Sequence, residues 1–286
     1  MRWYPRTFLL LLRRSLLATL DDGCLSVAKG AAYSALLSFF PVLASAATIL
    51  VEMRANFVSR TIENTLSEIV PPGSEDLVVQ QFRASGTRPL GVLVVAGLIS
   101  LWAASGVFKS LIEGFQAVYR VPRNRGFLQQ STVAMALVVG SAVPLLCASL
   151  LILFGNQVEQ TVLGWLKVGP GLTPLAWLWE LTSRVTQFLV AFACTTADTA
   201  CLYYFGPYRK QRWRYVWPGS ILATMLWMLA TMGFGWYVRN VAHYNVMYGS
   251  VGVVIALLVW MYLIAVIAMI GCEFNAEYER SRKLAG

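Results

Sequence analysis

The uncharged stretch from Val251 to Ile270 constrains the fold of this chain more than any other feature. It contains no Asp, Glu, Lys or Arg. A helix of this length can cross the roughly 30 Å hydrocarbon core of a bilayer. The stretch therefore predicts a transmembrane helix close to the end of the chain.

The composition indicates that this helix is one of several. Hydrophobic residues make up 57% of the chain and charged residues only 13%, with a mean hydropathy of +0.61, whereas soluble proteins average about 25% charged residues. We therefore expect an all-α, polytopic membrane protein with one membrane domain. The six predicted spans cover residues of about 31–51, 90–111, 133–154, 175–205, 217–237 and 251–270. Short outer-surface helices are predicted within 52–88, and 271–286 is a predicted tail.

The first thirty residues are basic but do not form a signal peptide. The apolar run Phe8–Leu12 is too short, and two arginines interrupt it at once. Leu9, Leu12 and Leu16 follow helical spacing, which predicts an amphipathic helix. Two placements remain open: the helix lies on the inner leaflet with its basic side toward anionic headgroups, or it packs against the bundle.

The distribution of positive charge predicts the orientation. With six spans, both termini lie on one side, and most lysines and arginines fall in segments on that same side. Because cytoplasmic loops are enriched in lysine and arginine, we expect cytoplasmic N and C termini. The predicted outer segments hold only Arg54, Arg60, Arg83, Arg88, Lys167 and Arg239.

Proline and glycine mark two places where the helices are expected to deviate. Pro41 lies inside the first span and removes a helical hydrogen bond, so it predicts a kink or a break. A break would expose backbone groups to a substrate, whereas a bend is tolerated in many membrane helices. Before the last span, Tyr248-Gly249-Ser250-x-Gly252 predicts a packing and turn motif.

No enzyme motif is recognisable in the sequence. There is no Walker A motif, no G-x-S-x-G and no H-E-x-x-H, and His243 is the only histidine. The five cysteines include no C-x-x-C and are predicted to be apolar packing residues. Glu273 and Glu277 lie one helical turn apart and suit a cation, but a solvated helix end beside Arg280 is the favoured interpretation. We expect no catalytic residue, metal or cofactor.

The fourth predicted span differs from the others because it contains several polar and ionisable residues. Its polar residues recur at steps that place them on one helical face: Glu180, Arg184, Gln187, Thr195 and Asp198. Ionisable side chains rarely face lipid, so two interpretations arise. The stripe lines a polar path for a substrate, or it is a structural staple in which Glu180 pairs with Arg184 and Asp198 bonds to hydroxyls.

Several blocks spread from Gly30 to Asn275 resemble the YihY/BrkB family, formerly named ribonuclease BN. They include Ser100-x-Trp102-Ala103-x-Ser105, Trp217-Pro218-Gly219 and Gly271-Cys272-Glu273-x-Asn275. The positions that carry the resemblance are Tyr33, Ser38, Pro41, Trp102, Ser105, Tyr119, Arg123, Pro218, Gly219, Tyr248, Gly249, Gly252, Trp260, Glu273 and Asn275.

The resemblance implies a bacterial inner-membrane protein of envelope biogenesis, in a family described as virulence factors and suspected of moving lipids or lipid-linked precursors. The leading hypothesis is a transporter or flippase-like factor with membrane lipids as partners. The alternative is a non-transporting scaffold that binds envelope-assembly proteins. A ribonuclease is disfavoured because no carboxylate or histidine cluster is present to hold catalytic cations, and no nucleic-acid partner is expected. Neither the substrate nor the oligomeric state follows from the sequence.

Overall fold

The computed structural model of the chain describes residues 5–52, 90–121, 126–165, 176–240 and 250–284. Within these residues it contains seven α-helices, one short 3-10 helix and no β-strand. The 3-10 helix covers Trp213–Tyr215. The α-helices are α1 (Pro5–Asp21), α2 (Cys24–Glu52), α3 (Leu90–Val118), α4 (Phe127–Trp165), α5 (Ala176–Phe205), α6 (Trp217–Asn240) and α7 (Ser250–Leu284).

Six of these helices, α2 to α7, are long and apolar enough to cross a membrane. This confirms the predicted all-α class with six membrane-spanning helices. Five of these helices extend beyond the predicted spans, whereas α5 matches its predicted span of 175–205 to within one residue. In particular, α7 continues from Ile270 to Leu284, so the described part of the predicted tail is helical and continuous with the last span.

The chain turns sharply between α1 and α2 at Asp22 and Gly23. Gly23 has a φ of +69°, in the left-handed region that glycine adopts without the steric cost of a Cβ atom. The first thirty residues are therefore not one helix. Residues from Cys24 onward already belong to the first spanning helix.

Helix α1 packs against α7 and α2, but not through the predicted leucine face. Its buried residues are Leu11, Ser15 and Thr19, whereas Leu9 and Leu16 are exposed. The hydroxyl of Ser15 donates to the carbonyl of Leu11, and that of Thr19 donates to the carbonyl of Ser15. Because these hydroxyls bond within their own helix, α1 can bury a partly polar face against the bundle. Its leucine face points away from the bundle.

The six long helices form a closed ring in chain order. Each packs against the next, from α2 to α7, and α7 returns to pack against α2 and also contacts α3. Ser45 of α2 and Ser100 of α3 share a hydrogen bond of 2.8 Å across one of these interfaces. Helix α7 packs against four other helices, α1, α2, α3 and α6, which is more than any other described helix does.

Both termini of the described chain lie at the same end of the ring, which we call the terminal end. Here α2, α6 and α7 meet, as contacts of Cys24 with Glu273 and of Gly219 with Asn275 show. The end of α3 is also here, because Arg280 donates to the carbonyl of Val118. The side of the membrane on which this end lies stays a prediction.

The best-packed interior lies at the terminal end. Ile112, Phe115, Tyr203, Met269 and Phe274 are fully buried there or nearly so. The outer surface of the ring, in contrast, exposes large apolar side chains, among them Leu98, Trp102, Val143, Leu229, Met232 and Trp236. An apolar outer surface is the pattern expected of helices that face lipid.

Pro41 does not break α2. The helix runs without interruption from Cys24 to Glu52 with Pro41 inside it. Neighbouring helices supply the packing that tolerates such a proline in a membrane helix. The backbone break that would have exposed groups to a substrate at this position is absent.

Some sequence predictions lie outside the described residues. These are the short outer-surface helices within 52–88, apart from Glu52 at the end of α2, and the family positions Arg123, Tyr248 and Gly249. Glu180 belongs to α5, but its side chain is not described.

Candidate functional site

The predicted polar stripe lies on α5, and its members differ in burial. Arg184 is exposed, whereas Gln187 and Thr195 are half-buried. The Thr195 hydroxyl donates to the carbonyl of Ala191 over 2.9 Å, which satisfies it within the helix. The predicted pairing of Glu180 with Arg184 stays a prediction.

Asp198 is the member of the stripe that forms a hydrogen bond to a neighbouring helix. Its side chain is half-buried and accepts a hydrogen bond from Ser141 of α4, whose own side chain is buried. This contact joins two neighbouring helices of the ring. A carboxylate bonded to a hydroxyl matches what the staple interpretation predicts for Asp198.

The two ends of the stripe are far apart along one helix face. Arg184 and Asp198 are separated by fourteen positions, which corresponds to about 21 Å along an α-helix. Fourteen residues also return to nearly the same angular position. The stripe therefore extends along most of the roughly 30 Å hydrocarbon core of a bilayer.

A groove of about 560 Å³ opens elsewhere, at the terminal end between α1, α6 and α7. Its walls are mostly apolar, with two arginines among them. The stripe residues do not line this groove. The lining residues are Phe8, Arg214, Trp217, Pro218, Ile221, Leu222, Met225, Phe274, Tyr278 and Arg282.

Three family positions meet where α6 begins beside α7. The backbone N–H of Gly219 donates to the side-chain oxygen of Asn275 over 2.7 Å, and the Asn275 amide donates to the carbonyl of Val216 over 2.9 Å. Pro218 precedes Gly219 in the first turn of α6. Glu273 lies two residues before Asn275 on α7 but contacts the turn between α1 and α2. Asn275 thus satisfies one of the N–H groups that every helix start leaves free.

Glu273 is fully buried, which corrects the prediction of a solvated helix end. The turn between α1 and α2 covers it. The Cys24 thiol lies 3.9 Å from one Glu273 oxygen, and the Asp22 carboxyl lies within hydrogen-bonding reach. The other Glu273 oxygen has no hydrogen-bond partner among the described residues. Two carboxyl groups therefore face each other at this turn.

The remaining acids of α7 are neutralised by ion pairs. Arg209 pairs with Glu279 over 2.5 Å, and Lys283 approaches the same carboxylate at 2.9 Å. Glu277 pairs with Arg280 over 2.6 Å. Of these pairs, the one between Arg209 and Glu279 joins the segment after α5 to the end of α7, and the other two lie within α7.

Tyr119, another family position, stacks beneath one of these arginines. The guanidinium of Arg209 lies 4.3 Å from the centre of the Tyr119 ring. Removal of the hydroxyl from water raises the pKa of Tyr119 well above its usual range. The side chain therefore stays neutral and links the end of α3 to the segment after α5.

The other family positions do not gather with these. Tyr33 and Trp102 are exposed on the outer surface of the ring, whereas Ser105 is buried and donates to the carbonyl of Trp102. Ser38 donates to the carbonyl of Ala35, and Gly252 is buried in the first turns of α7. Trp260 has a buried indole N–H without a hydrogen-bond partner in the described residues.

Sequence reasoning missed the groove. Its two long walls follow a helical spacing that was visible in the sequence: Trp217, Ile221 and Met225 on α6, and Phe274, Tyr278 and Arg282 on α7. The partnership of these two rows was not visible, because it depends on which helices pack together. In the described part of the chain, no group of three or more histidine, cysteine or acidic side chains is placed to hold a metal ion.

Comparison with known proteins identifies one family model and several relatives that each match most of this chain. The family model described as Virulence factor BrkB matches residues 16–286. A "Putative ribonuclease-like protein YfkH" of Bacillus subtilis is 26% identical over 93% of this chain and 94% of its own length. A "UPF0761 membrane protein" of Tolumonas auensis is 27% identical over 89% of this chain and 82% of its own length.

A further "UPF0761 membrane protein", from Alkalilimnicola ehrlichii, is 27% identical over 92% of this chain. The match covers only 58% of that relative, which is a longer protein. No solved structure matches the chain.

Proposed function

The chain belongs to the virulence factor BrkB family, and from this premise we propose that it is a transporter or flippase-like factor for a lipid or lipid-linked precursor of the cell envelope. In this proposal it resides in the bacterial inner membrane, with both termini in the cytoplasm and with membrane lipids as its partners. The positive-inside distribution of lysine and arginine supports this orientation.

The observation that carries the proposal is the polar face of α5. Asp198 is held between α4 and α5 by Ser141, while Arg184 is exposed about 21 Å away on the same face. Ionisable residues at membrane depth are costly, and they commonly mark the routes of substrates or ions. An anionic headgroup can meet Arg184 while its acyl chains remain in the bilayer.

The alternative is a non-transporting scaffold for envelope assembly. The bond between Asp198 and Ser141 favours it, because a polar pair between two helices fixes their packing without any substrate. The half-buried Gln187 and Thr195 are harder to explain as parts of a staple, since a staple needs no polar groups between its two ends.

We do not extend the ribonuclease-like name of the Bacillus relative to this chain, and we propose no enzymatic activity. On the proposed topology its only histidine, His243, lies outside the cytoplasm. A histidine there is poorly placed to act on cytoplasmic RNA.

The test is lipid transfer in liposomes that contain the purified protein and a fluorescent phospholipid. The variants Arg184→Ala and Asp198→Asn should each lower the transfer rate severalfold while the protein remains folded. Thr186→Val is the matched control, because Thr186 lies on the opposite face of α5 and donates only to the carbonyl of Thr182.

Two results would contradict transport. Transfer by the wild-type protein no faster than in protein-free liposomes would reject it directly. Equal transfer rates in wild type, Arg184→Ala and Asp198→Asn would assign the stripe to packing and favour the scaffold.

A further inference from the structure

The groove at the terminal end combines apolar walls with a basic end, which suits the binding of an amphiphile. Two helical rows form its long walls, with Trp217, Ile221 and Met225 on α6 and Phe274 and Tyr278 on α7. Phe8 of α1 contacts the Phe274 ring, with 5.6 Å between ring centres. Because α6 begins where α7 ends, the two rows run antiparallel along the same cleft.

Positive charge is concentrated at one end of this groove. Arg214 lies in the 3-10 helix, three positions before the first residue of α6, and is exposed, and Arg282 lies in the last turn of α7. Arg282 donates to the Tyr278 hydroxyl over 2.9 Å, and its guanidinium lies 5.3 Å from the centre of the Tyr278 ring. These contacts hold Arg282 at the groove wall.

These two arginines differ from the neighbouring arginines in that no carboxylate of the described residues neutralises them. Arg209 and Arg280 are each neutralised by a glutamate of α7. Among the described residues, neither Arg214 nor Arg282 forms an ion pair with a carboxylate. The basic end of the groove therefore keeps a net positive charge that an anion would complement.

The rest of the groove suits a hydrocarbon chain. Trp217, Ile221 and Met225 present apolar side chains that are 39 to 51% exposed, and Phe274 lies behind them at the base. The row lies on a helix that is apolar enough to cross the membrane. An acyl chain on this row stays within the hydrocarbon layer, whereas the arginines lie at the helix ends near the headgroups.

We propose that this groove binds one anionic phospholipid, with its phosphate between Arg214 and Arg282 and one acyl chain along Trp217, Ile221 and Met225. The guanidinium group matches phosphate oxygens through paired N–H donors. The site lies on α1, α6 and α7 and not on the α5 stripe. It is therefore independent of whether the protein transports lipid.

The experiment compares binding of two lipids with identical acyl chains. The full chain is purified in a neutral detergent and titrated with phosphatidylglycerol or phosphatidylcholine, and bound lipid is counted by native mass spectrometry. The wild-type protein should prefer phosphatidylglycerol. Joint substitution by Arg214→Gln and Arg282→Gln should weaken phosphatidylglycerol binding about tenfold or more, the effect of losing charged hydrogen bonds.

Two matched controls separate the site from general effects. Arg212→Gln removes an exposed arginine of the same segment that does not line the groove, and it should leave the preference unchanged. Met225→Trp fills the groove and should weaken binding of both lipids. Met232→Trp changes an exposed methionine on the same face of α6, outside the groove, and should not.

The possible contrary results are distinct. Equal binding of the two lipids by the wild-type protein overturns the proposal. Phosphatidylglycerol binding by the double arginine variant that is as tight as binding by Arg212→Gln overturns it as well. Displacement by inorganic phosphate without any effect of Met225→Trp shows a free-anion site instead. A shift in oligomeric state in the groove variants with unchanged lipid binding assigns the groove to a contact between copies of the chain.

Discussion

Gly219 and Asn275 are joined by a hydrogen bond of 2.7 Å from a backbone N–H to a side-chain oxygen. The same amide side chain donates to the carbonyl of Val216 over 2.9 Å, so one buried residue of α7 bonds twice to the start of α6. No apolar residue can replace these contacts, because the buried N–H of Gly219 would lose its acceptor. The carbonyl of Val216 would still accept from Ser220.

Asn275→Ala should therefore destabilise the protein by about 1–3 kcal/mol, the cost of leaving the buried Gly219 N–H unsatisfied. Thermal unfolding in detergent measures this as a lower midpoint. Asn240→Ala is the control, because Asn240 is exposed at the other end of α6 and bonds only to the carbonyl of Trp236. Equal midpoints for the two variants would show that the Asn275 contacts contribute little.

The close approach of α6 and α7 predicts a second, steric effect. A Cβ atom added at Gly219 would overlap the carbonyl oxygen of Gly271 and the Asn275 side chain. Backbone cannot move aside cheaply, so Gly219→Ala should sharply lower the yield of folded protein. Gly233→Ala adds the same methyl group to the same helix where no atom lies within 4 Å. It should fold at least as well as wild type, and a matching loss of yield in both variants would contradict the steric explanation.

The carboxyl groups of Asp22 and Glu273 face each other. We therefore expect the protein to tolerate replacement of the Glu273 carboxyl by an amide but not the loss of the Glu273 side chain. Glu273→Gln keeps the shape, cannot carry a charge and offers Asp22 an N–H donor. It should unfold at a temperature no lower than wild type. Glu273→Ala leaves a cavity in a fully buried position and should unfold at a lower temperature. A glutamine variant as unstable as the alanine variant would show that the Glu273 charge itself is required.

The predicted orientation can be tested by labelling single cysteines introduced into a cysteine-free variant. Lys210→Cys at the terminal end should react with an impermeant thiol reagent only after the membrane is permeabilised. Glu75→Cys should react from outside intact cells. The opposite labelling pattern would place the termini outside and reverse the topology.

The sequence by itself determined the class of protein and the approximate positions of the six spanning helices. Length and hydropathy are local properties, and a continuous apolar segment such as Val251–Ile270 must be helical to satisfy its backbone within a bilayer. The helical spacing of Arg184 and Asp198 is likewise local, so their common face could be predicted without any knowledge of neighbouring helices.

Only the tertiary structure decided which residues pack against those helix faces. Glu273 and Glu277 have the same chemistry and lie one turn apart, yet Glu273 is buried under the α1–α2 turn and Glu277 pairs with Arg280. Arg214 and Arg282 are separated by most of two helices in sequence but line one groove. Burial, pairing and grooves depend on which helices pack together, and that choice is made by contacts between residues far apart in the chain.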